Sequence, residues 1–111
     1  MRKLITLVLL TFTVLTIAFS PKAWAAGTTD GAKVFSVNCA ACHMGGGNIV
    51  RRGKNLKQKA LKRYGMDSID AIMYLVENGK NAMPAYKDRL TDQQILDVAA
   101  YVLEQAEKGW H

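Results

Sequence analysis

The stretch Cys39-Ala40-Ala41-Cys42-His43 decides the fold of this chain. On a helix, residues i and i+3 lie one turn apart on the same face. The thiols of Cys39 and Cys42 could therefore bond the two vinyl groups along one edge of a haem. The imidazole of His43 would then lie beneath the iron. This arrangement is the attachment pattern of c-type haems.

Two cysteines at this spacing also suit a thioredoxin-like redox pair, a structural disulfide or part of a zinc site. The redox pair needs a βαβ context, and the chain has no alternating pattern of the strand type. A disulfide leaves His43 unexplained. Zinc lacks a fourth ligand, because His111 is the only other histidine. The haem interpretation is favoured, and a haem would also complete the core of a small domain.

The N-terminus has the pattern of an export signal. Two basic residues precede an uncharged run from Leu4 to Phe19, and Ala23-Trp24-Ala25 has the form of a cleavage site. We predict a cleaved signal peptide at residues 1–25 and one domain at residues 26–111, with an uncleaved membrane anchor as the alternative. Cleavage removes three of the 15 basic residues and none of the 9 acidic ones, which lowers the formal charge from +6 to +3. A formal charge of only +3 does not favour nucleic-acid binding.

Residues 26–111 are predicted to be all-α, with about four short helices and no strands. Each helix is recognised by an apolar face at helical spacing and by capping or stop residues. In chain order, the predicted start and stop signals are Asp30 with Gly45-Gly46-Gly47, Asn55 and Gln58 with Gly65, Asp67 or Ser68 with Gly79, and Thr91 with Gln94. The predicted apolar faces are Ala32, Phe35, Cys39 and Cys42, then Leu56, Ala60, Leu61 and Tyr64, then Ile69, Ile72, Met73 and Val76, and finally Ile95, Val98, Ala99, Val102, Leu103 and Ala106.

A second axial ligand is sought among the methionines of residues 26–111. Met44 is too close to the proximal histidine to reach the opposite haem face. Met73 lies on the apolar face of a helix, where methionine ordinarily fills gaps, and Met66, between two helices, is a weak candidate. Met83 lies in a long loop before Pro84, which restricts it to extended geometry and stiffens the loop. We therefore predict Met83 as the ligand.

Ligation by His43 and Met83, with thioether bonds to Cys39 and Cys42, would leave the iron no open position. The chemistry that remains is the transfer of single electrons. The prediction is an electron carrier and not an enzyme. The alternative is a peroxidase-like haem enzyme or sensor in which Met83 is displaced, although no distal pair of histidine and arginine is evident.

Several stretches resemble the cytochrome c6 family, the class I c-type cytochromes of cyanobacteria and algae. They include Gly31-Ala32-Lys33-Val34-Phe35, Asn78-Gly79-Lys80-Asn81-Ala82-Met83-Pro84-Ala85-Tyr86, Val98-Ala99-Ala100-Tyr101-Val102 and Lys108-Gly109-Trp110. The resemblance implies a class I cytochrome c fold around one covalently attached haem c. It also implies Cys39 and Cys42 as thioether sites, His43 as proximal ligand and Met83 as distal ligand.

The same resemblance implies a place in photosynthetic electron transport. The donor would be the cytochrome b6f complex and the acceptor photosystem I, with a terminal oxidase as a further acceptor. The expected location is the thylakoid lumen, or the periplasm as well. Arg89 matches a family arginine expected near the haem edge. It is the first predicted docking residue, followed by Arg51 and Arg52.

Residues 51–63 contain seven Lys or Arg and no acidic residue. This pattern is typical either of a solvated face or of a basic docking surface, which would speed encounter with a partner. Lys57 departs from the family pattern, since many relatives carry glutamine there. On a helical wheel it falls within the apolar arc of its helix, where a cation would raise the haem potential or extend to water.

Overall fold

A computed structural model of the protein describes residues 26–111. The predicted signal peptide at residues 1–25 lies outside the described residues. The helices are α1 Thr28–Asn38, α2 Ala40–His43, a 3₁₀ turn Met44–Gly46, α3 Gln58–Arg63, α4 Ile69–Asn78 and α5 Asp92–Lys108. Between residues 26 and 111 the all-α prediction is confirmed, and extended pairing there is limited to one antiparallel bridge between Lys80 and Met83.

The first predicted helix is broken in two at Cys39, so residues 26–111 form five α-helices where about four were expected. Helix α1 already begins after Gly27, and Asp30 lies in its first turn, so Asp30 as the cap is wrong. The N–H groups of Cys42 and His43 both donate to the carbonyl of Cys39, at 3.2 and 2.9 Å. Because this restarts the helix as α2, the two cysteines do not share one straight helical face.

The predicted capping box of α3 is also wrong. The Asn55 side chain accepts the N–H of Lys57 at 3.0 Å, in a turn that precedes the helix. Helix α3 begins only at Gln58, with Lys57 as its N-cap and without a side-chain cap. Lys57 is exposed and lies before the helix, outside the apolar arc that contains the buried Ala60 and Leu61.

The predicted caps of α4 and α5 are confirmed. Ser68 opens α4, and its hydroxyl accepts the N–H of Ala71 at 3.1 Å. Thr91 and Gln94 form a complete capping box at the start of α5. Gly79 ends α4 as predicted. The long loop between α4 and α5 thus begins at Gly79, whose N–H donates to the carbonyl of Leu75, and it ends at the Thr91–Gln94 box.

Helices α1 and α5 cross at very close range and form the centre of the fold. A Cβ atom added to Gly31 would lie only 2.1 Å from the carbonyl oxygen of Asp97. The buried Asp97 carboxylate accepts the N–H of Gly27 at 2.7 Å and the side-chain amide of Gln93 at 2.8 Å. The core contains Val34, Phe35, Leu61, Ile72, Val76, Tyr86, Ile95, Val98, Ala99, Val102 and Ala106.

Trp110 joins the end of α5 to the segment that follows the cysteine motif. Its ring centroid lies 5.3 Å from that of Phe35 and 6.1 Å from that of Tyr101. The indole N–H donates to the carbonyl of Leu56 at 3.0 Å. The ring also covers Gly46, where an added Cβ would approach it to 2.5 Å. The segments before and after the 3₁₀ turn are thus both held against α5.

Candidate functional site

The imidazole of His43 is oriented by a backbone carbonyl. Its Nδ1 lies 2.7 Å from the carbonyl oxygen of Gly47. A carbonyl can only accept, so the proton is assigned to Nδ1 and the lone pair of Nε2 is left for a metal. The turn that returns the chain to His43 uses Gly45 and Gly46 at φ 63° and 81°. The run of glycines was the sequence signal for this contact, although only a helix end was predicted from it.

The two cysteines differ in their surroundings. Both are free thiols, with Cys39 half-buried against the core and Cys42 exposed. Burial raises the pKa of the Cys39 thiol to about 11, and the neighbouring Cys42 adds to the shift. The Cys39 thiol is therefore protonated and uncharged at neutral pH.

Met83 is held in a tight turn of the loop between α4 and α5. Reciprocal N–H to carbonyl bonds of 3.0 Å join Lys80 and Met83. The turn places Gly79 and Asn81 at φ 69° and 53°. The Met83 side chain is half-buried against the core. The backbone around the sulfur is therefore fixed by hydrogen bonds as well as by Pro84.

One side-chain contact brings the Met83 loop to the cysteine motif. The hydroxyl of Tyr86 donates to the carbonyl of Asn38 at 3.0 Å, across 48 residues of sequence. Asn38 directly precedes Cys39. Of the other methionines among residues 26–111, Met66 and Met73 also pack against the core, and Met44 is 78% exposed.

The residues of this site fit a covalently bound haem. Two free thiols, an imidazole with an available Nε2 and a half-buried thioether are the donors that a c-type haem takes. A cleft of about 320 Å³ lies beside the Gly47 turn, and Arg52 and Lys57 are among its lining residues. These cations suit the negative charge of haem propionates. Among residues 26–111 no three His, Cys, Asp or Glu side chains form a group that could hold a metal ion, so a protein-only zinc site gains no support.

The basic segment 51–63 lies on the surface. Most of its cationic side chains are exposed, and two of them lie near the ring of Tyr64: the Lys54 Nζ is 5.3 Å and the Arg63 Cζ 5.8 Å from the ring centroid. Arg89 is also exposed, and its guanidinium carbon lies 5.5 Å from the centroid of the Tyr86 ring. Arg89 lies in the loop between α4 and α5 that also carries Met83.

Comparison with known proteins decides the family. Residues 26–102 match the family model described as "Cytochrome C oxidase, cbb3-type, subunit III". A "Cytochrome c6-like" protein of Nostoc sp. is 61% identical over 110 residues, covering 99% of both chains. The cytochrome c6 of a Synechococcus species is 59% identical over 110 residues, covering 99% of this chain and 98% of the relative. The chain belongs to the cytochrome c6 family.

A solved cytochrome c6 has the same fold. The protein from the diatom Phaeodactylum tricornutum aligns with a TM-score of 0.75 and 46% identity, over 77% of this chain and all of the other. The class I cytochrome c fold expected from the sequence is thereby confirmed.

Membership of the cytochrome c6 family also fixes the chemistry. The chain is a c-type cytochrome that carries electrons between redox proteins, is not an enzyme, and holds a covalently attached haem c. Its relatives include cytochromes c6 of cyanobacteria and of an alga, and they indicate that it is an exported electron-transfer protein. Among residues 26–111, no helix is both long and apolar enough to cross a membrane.

Proposed function

We propose that this cytochrome carries electrons from the cytochrome b6f complex to photosystem I through a haem bonded to Cys39 and Cys42. His43 and Met83 are its axial ligands in this proposal. The observation that carries it is the 2.7 Å contact from His43 Nδ1 to the Gly47 carbonyl, which leaves Nε2 of the motif histidine available to bind iron. The haem supplies a one-electron couple when bound.

The protein's own residues would tune that couple towards the reduced state. A neutral imidazole and a neutral thioether add no charge to the iron. The ferric site carries one more positive charge than the ferrous site, so a partly buried pocket disfavours it. Both effects raise the potential. The Gly47 carbonyl lowers the potential instead, because accepting a hydrogen bond from Nδ1–H makes the imidazole a stronger electron-pair donor to the iron.

Replacing Met83 by leucine tests the distal ligand. We expect the oxidised protein to lose its far-red methionine–iron absorption band and the reduced protein to bind carbon monoxide. The potential should fall by on the order of 0.1 V, within the roughly 0.8 V range that axial ligands control. Absorption spectra and a redox titration measure all three effects.

Met73→Leu is the matched control for this experiment. Met73 and Met83 are both half-buried methionines that pack against the same core. A Met73→Leu protein should therefore keep the far-red band and the potential of the wild type. Loss of the band in Met73→Leu, or its retention in Met83→Leu, would refute the proposed ligand.

We propose that residues 1–25 are removed on export and that the domain at residues 26–111 works in the thylakoid lumen, or in the periplasm as well. The basic start, the uncharged run and the Ala23-Trp24-Ala25 site support the cleavage. The cyanobacterial and algal origin of the relatives supports the compartment. A terminal oxidase in the same compartment is a second acceptor.

The proposed docking residues are Arg89, Arg51 and Arg52. All three are exposed, and Arg89 lies in the same loop as Met83, with its guanidinium near the ring of Tyr86. An acidic partner surface would attract such cations and speed encounter more than it would tighten the complex. We expect Arg89→Gln to slow the reduction of photosystem I several-fold at low ionic strength, and to weaken the dependence of the rate on salt.

Lys87→Gln is the matched control, because it removes one positive charge from an exposed position two residues away. Flash-induced kinetics at several salt concentrations compare the variants. A similar loss of rate in both would mean that only net charge matters. A wild-type rate independent of ionic strength would remove the electrostatic role altogether.

A further inference from the structure

The break between α1 and α2 leaves a particular backbone carbonyl to be satisfied by a distant side chain. In an unbroken helix the N–H of Cys42 would donate to Asn38, but here it donates to Cys39. The carbonyl of Asn38 accepts the hydroxyl of Tyr86 instead, at 3.0 Å. A carbonyl at the end of a helix needs such an outside partner. Tyr86 thus stabilises the break next to the first haem-attachment cysteine.

The backbone of Tyr86 is held independently of its hydroxyl. Its N–H donates to the carbonyl of Val76 at 2.9 Å, and its own carbonyl accepts the N–H groups of Arg89 and Leu90, each at 2.9 Å. The side chain is only 8% exposed and belongs to the core. Removing the hydroxyl alone would therefore leave the ring packing and the turn in place. It would break only the link to Asn38.

We propose that Tyr86 is a positioning residue for Met83, which it holds against the haem-attachment segment through its hydrogen bond to Asn38. This inference rests on the ligand set proposed above. Met83 is three residues before Tyr86, and Asn38 is one residue before Cys39. The bond therefore connects the segment of the proposed distal ligand with that of the proximal one. It exists only while the Met83 loop lies against the α1–α2 break, so it favours the ligated state over one in which the sulfur has moved away.

Burial raises the pKa of the Tyr86 phenol above its ordinary value of 10.0. The phenol accordingly keeps its proton at physiological pH. The hydroxyl is then available as a donor under the conditions in which the protein works. Since the Asn38 carbonyl can only accept, the direction of the hydrogen bond is settled.

The test is a titration of the oxidised holoprotein with imidazole, which competes with Met83 for the iron. Tyr86→Phe keeps the ring and removes only the hydroxyl. We expect Tyr86→Phe to retain the far-red band without imidazole, and to bind imidazole about fivefold more tightly than the wild type. That factor corresponds to the loss of one typical hydrogen bond from the ligated state. An unchanged imidazole affinity would overturn the proposal.

Ser68→Ala is the control for a general loss of stability. It removes the cap at the other end of α4, which destabilises a protein to a degree similar to the loss of one hydrogen bond. A positioning role predicts that Ser68→Ala lowers the resistance to denaturant without changing the imidazole affinity. An equal shift in both variants would mean that Tyr86 has only a structural role, and would refute the proposal.

Met83→Leu separates this inference from the proposed ligand set. If that variant keeps the far-red band, Met83 is not the ligand and both proposals fail. If it loses the band while Tyr86→Phe binds imidazole as the wild type does, the ligand assignment stands and only the positioning role fails. A tighter affinity in Tyr86→Phe together with loss of the band in Met83→Leu supports both.

Discussion

Replacing Gly31 by alanine is expected to destabilise the fold by more than about 3 kcal/mol, at the upper end of the cost of overpacking. The added Cβ would lie 2.1 Å from the carbonyl oxygen of Asp97 and 2.8 Å from the Cβ of Tyr101. Both obstacles belong to α5 and neither is the tip of a flexible side chain. Helices α1 and α5 would have to separate, which also loosens the packing of Phe35 against Tyr101.

Denaturation of the reduced holoprotein measures this effect as a lower midpoint concentration of denaturant. Gly53→Ala is the matched control, since a Cβ there meets nothing within 4 Å. Its free energy of unfolding should stay within about 0.5 kcal/mol of the wild type. If Gly31→Ala proved as stable as Gly53→Ala, the close crossing of the two helices would be contradicted.

The second large effect is expected from Gly79→Ala, and it concerns the proposed haem ligand more than the fold. Gly79 has φ 69° and ψ 174°, a conformation that is essentially restricted to glycine. An added Cβ would also lie 2.6 Å from the carbonyl oxygen of Met83 and 2.7 Å from the nitrogen of Ala85. The Met83 turn would have to move. We expect most oxidised molecules to lose the far-red band, and the potential to fall towards that of Met83→Leu.

Gly65→Ala separates backbone strain from displacement of the loop. Gly65 has φ 67°, but an added Cβ there has nothing within 4 Å. Alanine at this position should cost about 1–3 kcal/mol of stability, as strained backbone positions do. It should nevertheless leave the band and the potential unchanged. A normal far-red band in Gly79→Ala would mean that the Met83 turn tolerates the added Cβ. That result would contradict the prediction that the turn has to move.

The features that sequence reasoning predicted correctly are mostly decided by near neighbours. The Ser68 cap and the capping box of Thr91 and Gln94 form between residues three apart. Such bonds depend on residue type and spacing, which a sequence displays directly. The haem-attachment motif was recognisable for the same reason, because its five residues are contiguous.

The wrong predictions concern places where two local hydrogen-bond patterns compete. Asn55 had a candidate partner three residues on, but its side chain accepts the N–H of Lys57, two residues on. At Cys39 the helix could have continued, but the next N–H groups return to Cys39 itself. At each position, both the expected and the observed hydrogen bond join residues that are close enough in sequence to pair locally. The apolar pattern alone cannot decide between them, so boundaries shift by a few residues.

The contacts that assemble the site could not be predicted from the sequence. The bond from Tyr86 to Asn38 spans 48 residues, and the bond from Trp110 to Leu56 spans 54. Periodicity identifies which side of a helix is apolar, but it does not identify the distant residue that the side will meet. The contact between His43 and Gly47 spans only four residues, but it could not be predicted either, since it depends on how the intervening glycines turn the chain.

The covering of Gly46 by Trp110 has a consequence for the order of events after export. A chain that crosses the membrane unfolded and N-terminus first delivers its two cysteines before α5 and Trp110. Until those arrive, nothing pairs with α1 or lies over the turn behind His43. Haem can therefore reach both thiols before Trp110 closes that turn.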